Sequence, residues 1–389
     1  MANAKCQMAK TRLTSHSGFG IRHSAFAIAA FAAVVCAAAG SCRSRDSAAT
    51  PPGSGAPLVA VVTPVRASAT LAHDPDDPSI WVHPTAPERS LVLGTVKVAA
   101  PDGGVAVFGL DGTLRQLVTG IDRPNNIDVE YGFALGGRAI DIAVVTERYQ
   151  RRLRVFNIAS DGSGISDLGV VPVLEGQAGE AGAPMGIGLY RRPRDGAVFA
   201  IVAPKTGPAD GYLWQYRLQD AGGGKLAAVA VRRFGRFGGS GEIEAVAVDD
   251  EAGHVYYADE NNGVHKWHAD PDHEGAGTEL AHFARDGFSG DREGLAIYTG
   301  RGGAGYIVAT DQLPVNSGYH LYRRETPDHA AVRVFAGGAD STDGIEVTSR
   351  DLGPEFPGGL FVAMNSRARN FLFYRWSDIQ AAIDGKAQK

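Results

Sequence analysis

The sequence predicts an all-β fold, a six-bladed β-propeller, and three observations carry that expectation. Beyond Leu58, helical periodicity is scarce, while short alternating apolar runs bounded by Gly, Asp and Pro are frequent, which is the pattern of strands. A two-part unit recurs six times at intervals of 49 to 57 residues. The region holding these units is roughly 330 residues long, more than one compact core normally serves, so it calls for repeated units stacked on one another.

The longer part of the unit is a short apolar strand, a polar loop and an alternating strand ending in a charged turn. It begins at residues 91, 140, 197, 254, 306 and 360. The shorter part precedes each copy as one strand and a turn, starting at Asp76, Asn125, Pro184, Glu242, Asp291 and Ser341. Each unit supplies three or four strands, and none can bury both faces of so small a sheet alone. Six such units closing radially satisfy them all. One helix is expected, at the end of the chain, with Ser377 as N-cap, Ile379 and Ile383 on one face and Gly385 as its stop.

Composition narrows the function. The chain has 389 residues, 44% hydrophobic, with a formal charge of −5, which argues against a basic nucleic-acid surface. Its only cysteines, Cys6, Cys36 and Cys42, precede the repeats, so the repeated region has no disulfide, thiolate metal site or catalytic thiol. Lys5, Lys10, Arg12 and Arg22 lead into an apolar run from Ala25 to Ala39, the pattern of an export signal and short for a membrane span. The run ends in Ala39-Gly40-Ser41-Cys42, which resembles a bacterial lipoprotein box with Cys42 as the lipid acceptor; an ordinary signal peptide cut near Ala39 is the alternative. Loss of residues 1–41 removes four Lys/Arg and no acid, taking the formal charge from −5 to −9. The expected organisation is an export segment over 1–42, a Pro/Gly-rich tether over 43–57 and one domain over 58–389. The protein is expected outside the cytoplasm, secreted or held at the cell envelope, and monomeric.

In a propeller the first strands of all units run the same way along the central channel, so their starts gather at one mouth. That places Asp76, Asp77, Asn126, Asp128, Glu244, Asp291, Glu293 and Asp343 together. The second strands run the opposite way and end at the same face, bringing Lys97, Glu147, Arg148, Lys205, Asp259, Glu260, Asp311 and Asn365. A ring of carboxylates needs a neutralising partner. Oxygen donors without His or Cys suit Ca²⁺. Lysine and arginine beside them suit phosphate.

Consecutive motifs then carry a family resemblance. Asp76-Asp77-Pro78-Ser79-Ile80-Trp81, followed by His83-Pro84, resembles the DDPAIW opening of the β-propeller phytases. Asn125-Asn126-Ile127-Asp128-Val129 is similar to NNVDI, and Asp141-Ile142-Ala143 with Arg148 resembles the strand that follows it. Ile243-Glu244-Ala245 with Asp249-Asp250-Glu251, Asp291-Arg292-Glu293-Gly294-Leu295 and Ser341-Thr342-Asp343-Gly344-Ile345-Glu346 resemble the later motifs in order. The resemblance implies a calcium-dependent phosphomonoesterase that uses several Ca²⁺ ions and acts on myo-inositol hexakisphosphate (phytate), through attack of a calcium-bound water on phosphorus. It implies calcium ligands at Glu244, Glu260, Asp291, Glu293 and Asp343, joined by Asp76 or Asp77, and phosphate contacts at Lys97, Arg148 and Lys205. Lys97, Arg148, Lys205, Glu244 and Glu260 form the expected catalytic set. The chain departs from the family at Met185, which replaces a Tyr, at Asp311-Gln312-Leu313-Pro314, and at Ser366-Arg367, which replaces an acidic pair.

Other motifs carry less. His265 and His268 fall on opposite faces of a strand, which argues against zinc shared between them. Arg232-Arg233-Phe234-Gly235-Arg236-Phe237 reads as a solvated strand edge, and no Gly-x-Ser-x-Gly elbow occurs. Two alternatives to a phytase stay open: a non-catalytic, lipid-anchored propeller that binds a ligand or protein partner, and a calcium-dependent propeller lactonase.

Overall fold

A computed structural model of the chain describes residues 59–386. The expected export segment, tether and lipid-accepting Cys42 lie outside the described residues. Within them are six sheets, each built on four strands, in which every strand from Pro75 onward pairs antiparallel with its sequence neighbours in that sheet. The first strands are Pro75–Trp81, Pro124–Leu135, Pro184–Arg191, Val246–Asp249, Leu295–Thr299 and Ile345–Thr348. They neighbour one another in order, and the sixth neighbours the first, so the sheets form a closed ring of six blades. The second strands begin at Leu91, Arg138, Val198, His254, Gly305 and Leu360.

Buried apolar residues fall into six clusters, and each joins two adjacent blades. Trp81, Leu93 and Val107 of the first blade pack with Val145 and Phe156 of the second. Phe335 and Tyr319 of the fifth pack with Phe361 and Tyr374 of the sixth. Side chains from both faces of every sheet are thus buried against a neighbouring sheet, as strands with near-continuous apolar runs require. Between the fourth and fifth blades the packing is also ionic. Arg324 grips Asp249 with Nε–Oδ2 at 2.5 Å and Nη2–Oδ1 at 2.7 Å, and both side chains are buried. Arg324→Ala leaves a buried carboxylate without its partner and should cost ~3–5 kcal/mol in denaturant unfolding; a change below ~1 kcal/mol would show the pair to be dispensable.

The ring is closed by the start of the domain. Arg66–Ala67 adds the outer strand of the sixth blade by pairing with Phe373 and Leu372. Val59–Val61 runs parallel to Val334–Ala336 as a fifth strand on the fifth blade. Strands this short have no legible periodicity, and their partners lie at the far end of the chain. The terminal helix spans Trp376–Ile383, starting two positions earlier than expected: Arg375 holds the N-cap place without a side-chain hydrogen bond, and Ser377 lies inside the helix. Gly385 does end it, at φ +72°.

Candidate active site at the channel mouth

Three sets of residues, one member per blade, build the mouth. The inner set comes from where the first strands start. In the first three blades the register slips after Pro75, Pro124 and Pro184 and resumes at Pro78, Ile127 and Ile187. In the other three, regular pairing starts at Val246, Leu295 and Ile345. Two residues before each of these points stand Asp76, Asn125, Met185, Glu244, Glu293 and Asp343. A bulge of this kind re-aims side chains at a strand end.

The second set consists of the residues that immediately follow the second strands: Lys97, Arg148, Lys205, Glu260, Gln312 and Ser366. The third fixes the second. The backbone N–H of each second-set residue donates to the carbonyl of Asp74, Arg123, Ala183, Glu242, Asp291 and Asp340 in turn, at 2.8–3.3 Å. The same main-chain bond in all six blades therefore presents all six side chains from equivalent positions.

The last residue of the second strand has another task. Glu147 accepts from the Asp122 N–H, Asp259 from Gly238, Asp311 from Ser289 and Gly290, and Asn365 from Asp340. Glu147 is further held by Arg152 and Arg154. These four residues, expected at the mouth with their neighbours, instead tether the loop that leads into each first strand. Consecutive strand residues face opposite ways, so in Glu147-Arg148 and Asp259-Glu260 only the second residue takes the mouth position.

The predicted metal residues mostly come together. Lys97 is ion-paired with both Asp76 and Asp343, its Nζ lying 2.7 Å from Asp343 Oδ2. Gln312 Nε2 donates to the other oxygen of Asp343 at 2.5 Å, and Asn125 Nδ2 lies 3.4 Å from Asp76 Oδ2. Glu260, Asp291 and Glu293 each place a carboxylate oxygen within 4.8 Å of the other two. Lys205 is paired with Glu242, whose N–H donates to Glu260 Oε2 at 2.7 Å. Arg148 makes no ion pair among the described residues. Asp77 stands apart from this group: its Oδ2 accepts from the Ile127 N–H at 3.0 Å. Asp128 likewise lies deeper in the channel, accepting from Leu189 N–H at 2.7 Å, so the second blade's inner-set residue is Asn125 rather than Asn126 or Asp128. Met185 is fully buried and offers the mouth no polar atom. Asp74 and Asp340 were not singled out in the sequence, and Glu242 and Gln312 appeared there only as a unit start and within a departing segment, because nothing in their local pattern separates them from turn residues.

Electrostatics agree with a site built for cations. Burial drives the Glu260 carboxyl up to about 8, helped by the charges of Glu244 and Asp291. Burial, then Glu244 and Glu260, hold Glu293 well above the usual range. Glu244 is raised by burial against the pull of Lys97, Arg148 and Lys205. Burial works against the Lys97 ammonium, but Asp76, Asp343 and Glu244 outweigh it and hold its pKa well above normal. The donors are carboxylate oxygens with no imidazole or thiolate, which fits Ca²⁺ in preference to zinc or copper. Clustered carboxylates that resist ionisation together are relieved by such an ion.

Below the mouth, Asp77, Asp128 and Glu346 line a channel cavity of about 600 Å³. Asp250, which also lines the cavity, is raised to about 7 by burial, and neighbouring Glu130 is pushed up to about 9 by burial and by the Asp250 charge. A carboxyl raised on folding stabilises fully below its unfolded pKa, near 4.5, and that contribution is lost as pH climbs through its folded value. Glu130→Gln should therefore leave Tm unchanged at pH 5 and raise it by a few degrees at pH 9.5, read by calorimetry. An equal shift at both pH values would refute that origin.

The class that fold and site define is a six-bladed propeller whose mouth sets clustered carboxylates, able to hold a divalent cation, beside Lys97, Arg148 and Lys205, able to meet an anion. The family model described as Phytase matches residues 24–387 of this chain. The chain is 32% identical over 319 residues to the 3-phytase of Bacillus subtilis (strain 168), covering 78% of this chain and 80% of that protein. The chain belongs to the phytase family.

Proposed function

We propose that the protein is a phosphoric monoester hydrolase that releases inorganic phosphate from phytate with the help of calcium. The observation that carries this reading is the equivalence of Lys97, Arg148 and Lys205: three consecutive blades place a cation at the same point, beside a carboxylate cluster. A polyphosphorylated ring needs that combination, because its charge must be met at several points. Glu244, Glu260, Asp291, Glu293, Asp343 and Asp76 would hold the calcium. Calcium bound there supplies positive charge to the phosphoryl oxygens and polarises the attacking water.

The chain's own residues supply orientation and further charge. Arg148 has its guanidinium uncommitted and half-buried, where a bidentate grip on a phosphate is strong. Burial, then neighbouring Arg148, lowers the Lys205 pKa, and an arriving phosphate dianion reverses that penalty. Lys97 bridges Asp76 and Asp343 and so ties the first blade to the sixth at the reacting face. These donors stabilise the charge that grows on the transferred phosphoryl group. Arg148→Ala should lower kcat/KM for phytate by ~10²-fold or more, with unchanged melting behaviour. A lactone-hydrolysing propeller would tolerate that substitution, so full retention of activity on its substrate would favour the lactonase reading.

Export and anchoring belong to the same proposal. The basic and apolar stretch before Cys42 supports secretion or attachment to the cell envelope, with Cys42 as lipid acceptor. Cys42→Ala should move the protein from the membrane fraction to the soluble fraction without changing its specific activity.

A further inference from the structure

Arg292 stands between Asp291 and Glu293 in the sequence, yet its side chain serves neither the mouth nor solvent. The residue is 5% exposed, while its two neighbours are only half-buried. Its guanidinium donates from Nε to the Ala284 carbonyl, from Nη1 to that of Glu260 and from Nη2 to that of Arg285, each at 2.7 Å. The Arg292 backbone N–H reaches the same Glu260 carbonyl at 3.4 Å. The guanidinium carbon lies 4.2 Å from the centre of the Phe288 ring, which stacks in turn on His320 at 4.0 Å.

We propose that Arg292 is a positioning residue for the calcium group, fixing the spacing of Glu260 from Asp291 and Glu293. The proposal rests on the reading of those three carboxylates as calcium ligands. They come from two blades: Glu260 follows the second strand of the fourth, whereas Asp291 and Glu293 lead into the first strand of the fifth. Their oxygens lie within 4.8 Å of one another, so mutual repulsion acts to spread them. The join between the two blades runs from Ala284 to Gly290. Arg292 pins one end of it, and Asp311 pins the other through the N–H groups of Ser289 and Gly290. The same guanidinium holds the main chain of Glu260, so all three carboxylates are set from one rigid fork.

A buried guanidinium is costly to desolvate, and a methionine would fill the space without that cost. What methionine lacks is a planar set of charged donors that meets three carbonyls at fixed angles, with bonds about twice as strong as neutral ones. Arg232 supplies the comparison. The sequence places it in a solvated strand edge, but it is half-buried and makes the same grip on the outer strand of the third blade. Its Nε donates to Gln215 Oε1, Nη1 to the Ala276 carbonyl and Nη2 to the His268 carbonyl, beside the Phe234 ring at 4.1 Å. None of these partners belongs to the mouth. The two arginines are alike in their packing and differ in what they hold.

The test is calorimetric titration of Ca²⁺ into metal-free, full-length protein without substrate, following the binding event that Glu293→Gln weakens. Arg292→Met should weaken that event at least about tenfold. Arg292→Lys, which keeps the charge without the fork, should weaken it at least about threefold. Arg232→Met should lower Tm as Arg292→Met does but leave calcium affinity within about twofold of the wild type. In phytate turnover, the Arg292 variants should need more Ca²⁺ for half-maximal release and regain the wild-type kcat once Ca²⁺ saturates. Wild-type affinity in the Arg292 variants, or an equal loss in Arg232→Met, would overturn the role of Arg292 and leave the calcium group standing. No Ca²⁺ binding by the wild type, or none that responds to Glu293→Gln, would overturn the calcium group and the role of Arg292 with it. Arg292→Lys is included so that a folding failure of Arg292→Met cannot decide the result.

Discussion

Lys97→Met should reduce phosphate release from phytate by at least ~10²–10³-fold, the largest effect expected of any single mouth substitution. Lys97 is the ammonium between Asp76 and Asp343, and Glu244 also acts on it. Its removal deletes the charge proposed to meet the developing phosphoryl charge and leaves two carboxylates, Asp76 fully buried, to repel each other. Stability should fall as well, by ~3–5 kcal/mol for a partner removed from a buried pair, and calcium should restore part of it by neutralising the same oxygens. Phosphate release and urea unfolding, each with and without Ca²⁺, separate the two effects. Lys97→Arg is the control: it keeps the charge without the compact head and should recover stability more fully than turnover. Retention of more than a tenth of wild-type kcat/KM in Lys97→Met would remove Lys97 from the reacting face.

Glu293→Gln should move activity and stability in opposite directions. In calcium, losing one carboxylate from the proposed ligand group with Glu260 and Asp291 should weaken metal binding and cost ~10²-fold in activity at limiting Ca²⁺. In EGTA at pH 8, the same substitution removes a carboxyl that burial, Glu244 and Glu260 hold well above its usual pKa. Such a group contributes its full stability below its unfolded pKa, near 4.5, and progressively less as pH rises toward its folded value. The metal-free variant should therefore melt higher than the wild type at pH 8 and equally at pH 5. A purely structural Glu293 would lower Tm in both conditions, and that outcome would dissociate it from calcium.

The repeat made the fold legible. Expected second-strand starts at residues 91, 140, 197, 254, 306 and 360 fall within two residues of those observed, because apolar runs buried on both faces stand out between Gly and Asp turns. Ring closure was not legible, since Val59–Val61 and Arg66–Ala67 are too short to show a period and pair with residues near the opposite end of the chain. At the mouth, residue types were legible but their aim was not. In Asp76-Asp77 and Asn125-Asn126 a bulge decides which residue reaches the mouth, and a bulge is a property of pairing rather than of composition. Glu147 and Asp259 have the right charge at the right strand end, yet they hold loop N–H groups, while the residues after them carry the site. Gln312 showed in the sequence only as part of a departing segment, because an amide next to an acid in a loop signals no partner until Asp343 arrives beside it.

Proposed for this mouth is one activity: its carboxylates and cations together hydrolyse phosphate esters of inositol with calcium. The direct measurement is inorganic phosphate released from phytate by the purified protein, followed with saturating Ca²⁺ and after addition of EGTA. The expected result is steady release with Ca²⁺ that falls to baseline with EGTA and returns when Ca²⁺ is restored. No release under saturating Ca²⁺, or release that EGTA leaves untouched, would contradict it.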